Sequence, residues 1–458
     1  MHLKLPFVLL ALIEGLLLLA APYLAASLVP GARAAYGAEP SDAPLRAAII
    51  FALFSMAALF AVGLYSTRQR CSPTGIFVRV VTAITIAVVL SALVFFFLPA
   101  TAMSRGTLAL SAAIAVLFGL TTRLVFGRVI DEDLFKQRVL VFGAGRRAGC
   151  LSELRRRTDT RGFRVVGFIA AEGDEVTVAG ERLVARPPNL LQWSLQNRID
   201  EIVVAMDDRR MAFPAHELLD CRLAGLSVIE LSSFLERETG KLRLAVSSPS
   251  NFIFSDGSRE SRFKEGLTRS IDILVSLAIL VLMLPLMLLT ALAIIFEDGW
   301  RASILYRQRR VGRYGEPFDV LKFRSMRVDA EPNGAVWAAP NDPRNTKVGH
   351  LIRKTRIDEL PQLINVLRGE MSLVGPRPER PEFVEQFEQK LPFYHGRHAV
   401  RPGITGWAQL CYPYGANEKD ALEKLQYDLY YVKNRSWIFN LAVILQTVEV
   451  VLWQKGAR

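Results

Sequence analysis

Long apolar stretches separated by short polar loops dominate the beginning of the chain. Four of them occupy residues 7–29, 45–65, 78–98 and 108–126. Each is close to the roughly 20 residues that an α-helix needs to cross the hydrocarbon core of a bilayer. The pattern therefore predicts a four-helix transmembrane domain over residues 1–130. The first stretch exceeds the apolar region of a cleaved signal peptide and three more follow, so we expect it to be retained.

Positive charges beside these stretches predict their orientation, because cytoplasmic loops carry an excess of Lys and Arg. The basic residues near the ends of the second and fourth stretches are Arg68, Arg70, Arg79, Arg123, Arg128, Lys136 and Arg138. Arg33 and Arg46, in the loop between the first two stretches, weaken this bias without reversing it. We therefore expect the amino end and everything after the fourth span to be cytoplasmic.

Beyond the fourth stretch, short apolar strands alternate with helical segments. The first strand begins at Arg138, and two more are predicted at residues 164–169 and 201–206. This alternation is typical of a parallel α/β domain, and we assign residues 131–250 to a Rossmann-like cytoplasmic domain.

Glycines after the first of these strands leave two functions open. Gly143 and Gly145 can let a pyrophosphate approach a helix amino end, as in dinucleotide-binding folds. Gly149 comes one residue late for that fingerprint, and the second strand ends without an acid to bind a ribose. The other interpretation, which we favour, is a domain that no longer binds nicotinamide and serves in assembly or regulation.

A fifth apolar stretch, residues 271–296, is long enough to cross a bilayer. Its basic flanks consist of Arg259, Arg262, Lys264 and Arg269 before it and Arg301, Arg307, Arg309, Arg310 and Arg313 after it. A simple crossing would put one of these clusters on the outer side. Pro285, near the midpoint, removes a backbone hydrogen bond and supplies a cause for a bend. We predict a re-entrant helix that bends at Pro285, with a fifth span as the alternative.

Composition narrows the choice of partners. The formal net charge of +12 suits nucleic acid, an anionic membrane surface or a phosphorylated substrate. The sequence has neither the zinc-type spacing nor the stacking aromatic motif of a nucleic-acid module, so we expect no nucleic-acid partner. Its four cysteines are widely spaced without a CxxC pair and indicate neither a metal site nor a disulfide framework.

Candidate chemistry lies in residues 251–458, where cations surround the acidic pair Asp358-Glu359. The cations that we single out are Lys322, Arg324, Arg353, Arg377 and Arg401. Guanidinium groups match phosphate oxygens in pairs, so this set suits a mono- or diphosphate substrate. Taken alone, Asp358 is also an ordinary N-cap, and Glu359 an ordinary first-turn acid, of a predicted helix over residues 359–368. Adjacent helical side chains diverge by roughly 100°, so one carboxylate can attack phosphorus while the other ligates Mg²⁺.

From about Glu265 to its carboxyl end, the chain resembles the catalytic domain of bacterial polyprenyl-phosphate glycosyl-1-phosphate transferases. The resemblance rests on the segments KFRSM, DELPQL, SLVGPRP and RPGITGWAQ. The whole chain is similar to the long form of that family. This resemblance implies a membrane protein with a four-span helical bundle, a Rossmann-like domain and a mainly α, monotopic catalytic domain on the cytoplasmic face of the bacterial inner membrane.

The resemblance also implies a mechanism and partners. Asp358 would attack the β-phosphorus of a UDP-sugar, releasing UMP, and polyprenyl (undecaprenyl) phosphate would then accept the sugar phosphate. These enzymes begin exopolysaccharide or O-antigen assembly. Glu359 matches the Mg²⁺ ligand of the family; Arg353, Arg377 and Arg401 match its phosphate and uridine contacts, and Lys322 and Arg324 match less closely. The resemblance further implies a homodimer, with the middle domain as its contact. Family members often have Ser-Pro at the bend, whereas Leu284 precedes Pro285 here.

Two other functions are alternatives to this one. A membrane-anchored nucleotide-sugar dehydratase or oxidoreductase needs a complete glycine fingerprint and a Tyr-x-x-x-Lys pair, and no tyrosine here has Lys four residues later. A non-enzymatic assembly scaffold would not require the acids and arginines at these positions. It would also keep its role after Asp358→Asn.

Overall fold

The structure, a computed structural model, describes residues 5–29, 43–65, 73–99, 103–129, 136–152, 154, 162–208, 213–246, 262–299, 303–327, 344–412 and 417–452. The chain divides into two compact units, Met1–Val246 and Ser247–Arg458. Of the basic residues used above for orientation, Arg68, Arg70 and Arg33 lie outside the described residues, as do Arg259 and Arg301.

The first unit begins with the four predicted apolar helices. They are α1 (Leu5–Leu28), α2 (Ala43–Ala61), α3 (Pro73–Phe97) and α4 (Arg105–Val129). Helix α1 packs against α2 and α4, and α3 packs against the same two helices, which closes a bundle. Its core includes Phe51 and Leu59 among small residues such as Ala83, which let membrane helices approach closely. The prediction of four long apolar helices is confirmed.

Two of the arginines used to predict orientation are buried inside this bundle. Arg123 pairs with Glu14 over 2.9 Å, and Arg79 donates to the backbone oxygen of Val62 over 2.6 Å. Tyr65 also donates to Glu14. Charges within membrane helices are costly unless paired, so these contacts explain how the bundle accommodates them. Both arginines belong to helix packing rather than to the flanking loops that carry an orientation signal.

The remainder of the first unit contains a parallel sheet of five strands in the order β3-β2-β1-β4-β5. The strands are β1 (Gln137–Phe142), β2 (Phe163–Ile169), β3 (Leu183–Val184), β4 (Glu201–Val204) and β5 (Ser227–Glu230). The helices are α5 (Arg146–Ser152), α6 (Leu190–Gln196), α7 (Ala215–Leu223) and α8 (Leu231–Thr239). Along β1, Val139 and Val141 enter one apolar core while Leu140 and Phe142 enter another. A strand buried on both faces is typical of α/β folds, so the predicted parallel α/β character of this domain is confirmed.

Acidic side chains occupy the glycine turn at the end of β1. The two carboxylate oxygens of Asp207 accept from the backbone N–H groups of Arg146 and Arg147, each over 2.8 Å. Asp174 accepts from the N–H of Ala144 over 2.9 Å. A Cβ atom added to Gly145 would lie 2.1 Å from Asp207 Oδ2. These carboxylates accept the hydrogen bonds that the backbone of a dinucleotide fold donates to phosphate. This agrees with the interpretation that the domain no longer binds a nicotinamide cofactor.

The second unit opens with α9 (Arg262–Asp298), a helix of 37 residues that runs through Pro285 without interruption. It is the fifth helix in the described residues that is long and apolar enough to cross a membrane. Residues near both ends of α9 contact other parts of the second unit. Arg269 donates to the carbonyl of Val366 over 2.6 Å, and Glu297 accepts from the N–H of Lys347 over 2.7 Å. The re-entrant path with its bend at Pro285 stays a prediction.

The rest of this unit is mainly helical with two small sheets. Strands β6 (Leu305–Val311) and β7 (Pro317–Phe323) form an antiparallel pair, and β8 (Ser372–Val374) pairs in parallel with β9 (Gly403–Thr405). The helices are α10 (Lys347–Lys354), α11 (Gln362–Arg368), α12 (Pro381–Lys390), α13 (Trp407–Cys411), α14 (Glu418–Asn434) and α15 (Trp437–Leu452). The mainly α character predicted for this part of the chain is confirmed.

Candidate active site

Asp358 and Glu359 lie in a short 3₁₀ turn, Ile357–Glu359, between α10 and α11. The α-helix predicted to begin at Glu359 begins at Gln362 instead, and Asp358 is not its N-cap. The turn starts at Arg356, whose φ of 61° lies in the left-handed region that costs most residues free energy. This tight change of direction places the acidic pair ahead of the helix rather than in its first turn.

Three cations converge on Oε1 of Glu359. The distances are 2.8 Å from Arg377 Nη2, 3.4 Å from Lys322 Nζ and 3.8 Å from Arg356 Nη1. Burial on its own raises the pKa of Glu359, but Arg377 and Lys322 hold it well below its usual range. Glu359 is therefore ionised throughout the neutral pH range.

Asp358 has a different environment although it is the next residue. Its side chain is buried, and among the described residues its Oδ1 atom accepts no hydrogen bond. Burial and the charge of Glu359 raise its pKa to about 6, while Lys322 and Arg353 oppose the rise. In the described ranges, the pair thus combines one carboxylate held by cations with one that has an oxygen without a hydrogen bond. Divergent environments of this kind separate the roles of two neighbouring acids.

The loop that carries Arg377 is fixed by a close crossing of two chain segments. A Cβ atom on Gly403 would lie 2.0 Å from the backbone nitrogen of Gly375, so only glycine permits this approach. Arg397 donates to the carbonyl oxygen of Arg377 over 2.8 Å and forms a buried ion pair with Asp428 over 2.8 Å. The segments SLVGPRP, which contains Gly375, and RPGITGWAQ, which contains Gly403, therefore act together in directing Arg377 toward Glu359.

The predicted cations are not all brought together. Lys322 and Arg377 contact Glu359. Arg353 donates a hydrogen bond to Asn345 over 2.6 Å, and its charge lowers the pKa of Asp358. Arg324 lines a separate open groove. Arg401 donates a hydrogen bond to the carbonyl of Gly369 over 3.0 Å. This contact stabilises the chain just after α11 and does not involve the acidic pair.

Arg356 contacts the pair but was not singled out from the sequence. Its position two residues before Asp358 is a usable signal, because a tight turn can fold its side chain back onto the acids. The left-handed backbone that produces this turn cannot be predicted from the residue type, because arginine does not favour that conformation.

A cavity of about 730 Å³ lies beside this cluster. Glu359, Arg356 and Arg377 contribute to its lining, and Asp358 is not among the described lining residues. The volume falls within the range of small-molecule sites. A phosphorylated ligand in this cavity would meet the guanidinium groups of Arg356 and Arg377 beside the acidic pair.

The residues around the acidic pair suit a Mg²⁺ ion only if the substrate supplies part of its coordination. Within the described ranges, no group of three or more His, Cys, Asp or Glu side chains is arranged to hold a metal ion. Mg²⁺ commonly takes one or two carboxylates together with substrate phosphate oxygens. Glu359 lines the cavity, and its described contacts with Arg377, Lys322 and Arg356 use Oε1. The geometry therefore fits an ion that arrives with a diphosphate better than a preformed metal site.

Comparison with known proteins gives two family matches. The family described as Bacterial sugar transferase matches residues 263–454, which include the acidic pair and the cations around it. The family described as CoA-binding domain matches residues 60–212, which include most of the parallel sheet.

Similar proteins carry related names. The chain is 39% identical over 57% of its length to UDP-N-acetylgalactosamine-undecaprenyl-phosphate N-acetylgalactosaminephosphotransferase of Aeromonas hydrophila, covering 61% of that protein. It is 43% identical over 40% of its length to UDP-glucose:undecaprenyl-phosphate glucose-1-phosphate transferase of Escherichia coli (strain K12), covering 39% of that protein. The two alignments thus span less than two thirds of either relative.

A third relative is matched over most of both chains. The protein from Klebsiella pneumoniae that bears the same name as the E. coli relative is 34% identical over 69% of this chain and 68% of its own length. Together with the match over the catalytic region, this similarity shows that the chain belongs to the bacterial sugar transferase family.

Proposed function

We propose that this membrane protein transfers a sugar-1-phosphate from a UDP-sugar to polyprenyl phosphate, undecaprenyl phosphate in bacteria, and releases UMP. The observation that carries the proposal is the contrast within one pair of acids. Within the part of the chain that the structure describes, Asp358 has an oxygen without a hydrogen bond, while Glu359 is held by three cations beside a cavity. The names of the relatives support the substrate classes.

In the first step, a carboxylate oxygen of Asp358 attacks the β-phosphorus of the UDP-sugar. The new bond joins that oxygen to phosphorus, and the bond from phosphorus to the bridging oxygen breaks, so UMP leaves with the electron pair. Arg377 and Arg356 lie where they can offset the charge of the diphosphate. Because Asp358 is buried, its side chain must turn toward the cavity as the substrate binds.

In the second step, an oxygen of polyprenyl phosphate attacks the same phosphorus. The bond between phosphorus and Asp358 breaks, and the free carboxylate returns. When bound, Mg²⁺ would neutralise phosphate charge, and Glu359 is the residue that would hold it. Lys322 keeps Glu359 and Asp358 in a cationic setting throughout.

The same proposal gives the protein a place in the cell. We assign it to the bacterial inner membrane with its catalytic domain on the cytoplasmic face, at the first membrane step of exopolysaccharide or O-antigen synthesis. The contacts of Arg269 and Glu297 with one folded unit support a path of α9 that starts and ends on the same side. A homodimer through the Rossmann-like domain is part of the proposal and rests on family resemblance.

Release of UMP by purified protein tests this function directly. With Mg²⁺ and a panel of UDP-sugars, we expect the wild-type protein to release UMP and the Asp358→Asn variant to release none above background. Asp319→Asn, a change at an exposed aspartate on β7, is the matched control and should retain activity. Unimpaired turnover by folded Asp358→Asn would refute the nucleophile and would favour a scaffold or another chemistry.

A further inference from the structure

The cavity beside the acidic pair has an apolar wall that the transfer chemistry leaves unexplained. Val275, Ile279 and Met283 of α9 line it at intervals of four residues, which places them along one face of that helix. Ile444 and Val448 of α15 line it at the same interval. Two apolar helices therefore each turn one stripe of side chains toward the reaction site.

The outer faces of these two helices are also apolar. On α9, Leu274 is 66% exposed and Leu282 is 71% exposed, and on α15 Ile438 is 61% exposed. Helices of this kind match a lipid environment on their outer side. The apolar outer surface of each helix therefore extends into the cavity through its inner stripe. Another wall of the same cavity carries Arg356 and Arg377.

This combination selects an amphiphile with an anionic head. A phosphate is attracted by the guanidinium groups, and a hydrocarbon tail is favoured against the apolar stripes because burial there removes it from water. A nucleotide-sugar, by contrast, is polar along its whole length and gains little from this wall. The cavity, at about 730 Å³, is of a size for the head and the adjoining segment of a long lipid.

We infer that the wall formed by Val275, Ile279, Met283, Ile444 and Val448 seats the isoprene units next to the phosphate of the acceptor lipid. This inference rests on the proposed function and deepens it. The wall would then be a determinant of acceptor binding that plays no part in the attack on the UDP-sugar. The remainder of the lipid chain would extend into the bilayer along α9 and α15.

The two steps of the reaction allow a selective test with full-length protein in lipid nanodiscs. Ile279→Trp and Val448→Trp fill the wall, and Leu274→Trp, at an exposed position on the same helix outside the cavity lining, is the matched control. The first step is measured without acceptor, as exchange of labelled UMP into the UDP-sugar. The second is measured as transfer from the loaded enzyme to undecaprenyl phosphate.

We expect the two filling variants to exchange UMP within twofold of the wild-type rate and to lose tenfold or more in transfer to the lipid. Leu274→Trp should match the wild type in both steps. Ile279→Ala, which keeps an apolar residue of smaller size, should raise the KM for the lipid without changing the exchange rate. This milder variant separates lost contact from a failure of the filled variants to fold.

Different results would have different meanings. Normal transfer by both filling variants, or an equal loss in both steps with Ile279→Ala also affected, would overturn the inference about the lipid wall. Absence of UMP exchange in the wild-type protein itself would instead refute the proposed function. The two failures are therefore distinguishable.

Discussion

Asn365 accepts a hydrogen bond from the backbone N–H of Leu321 at 3.0 Å and so joins α11 to the strand that carries Lys322. Its amide nitrogen donates to the carbonyl of Asp319 over 2.8 Å and to Glu370 over 2.7 Å. Asn365 is fully buried. One side chain therefore sets the position of Lys322 relative to the helix that follows the acidic pair.

Replacing Asn365 with Leu is expected to lower both stability and activity. The change leaves the buried N–H of Leu321 without its partner, which costs about 1–3 kcal/mol, and it also removes the part-buried bond to the carbonyl of Asp319. A lower thermal midpoint and slower UMP release should follow. Gln386→Leu, at an exposed position on α12, serves as the control. Equal midpoints for Asn365→Leu and wild type would contradict this account.

The pH dependence of the first step should follow the ionisation of Asp358. Its pKa is raised to about 6, so the carboxyl group takes up a proton as the pH falls below that value, and the protonated acid is not a nucleophile. Single-turnover UMP release should therefore rise through about pH 6 and level off above it. A rate that is flat between pH 5 and 7.5 would argue against this assignment.

Lys322→Met should displace that profile toward higher pH. Lys322 lowers the pKa of Asp358, so its removal makes the carboxyl group harder to ionise. The midpoint is measured on the same single-turnover assay, whatever the change in maximum rate. Lys419→Met, at an exposed position on α14, should leave the midpoint unchanged. A downward displacement in Lys322→Met would reverse the electrostatic argument.

Gly403→Ala should displace Arg377 and nearly abolish activity. The added Cβ would lie 2.0 Å from the nitrogen of Gly375, so β8 and β9 must separate, and overpacking of this kind costs about 1–3 kcal/mol. We expect UMP release to fall at least tenfold. In Gly180→Ala the new Cβ meets no atom of the described residues within 4 Å, and this variant should behave as the wild type.

Asp207→Ala tests the closed glycine turn of the Rossmann-like domain. The change leaves the N–H groups of Arg146 and Arg147 without their acceptor, so we expect this domain to become more susceptible to limited proteolysis. Wild-type protein should show no shift in thermal midpoint with NAD⁺ or coenzyme A, because the phosphate position is taken by a carboxylate. A clear stabilisation by either ligand would contradict this interpretation.

The roles of the acidic pair stay a prediction. Sequence patterns predicted the long apolar helices and the parallel sheet, and they singled out Lys322 and Arg377, which the structure places beside Glu359. They failed where the outcome depends on distant neighbours. Arg401 bonds Gly369 and approaches Glu265, which is 136 residues away, and no local pattern reports such a pairing. The start of α11 was misplaced because the left-handed backbone of Arg356 introduces a separate turn before it.

The hydrogen bonds that tie α9 to the folded unit near both ends, through Arg269 and Glu297, have a mechanical consequence. A helix held at two points cannot change its tilt without moving what it is fastened to. Membrane helices respond to acyl-chain length by tilting, and here the response would be transmitted to the strands and turns around the reaction site. The catalytic rate of this protein should accordingly vary with the thickness of the bilayer that surrounds it.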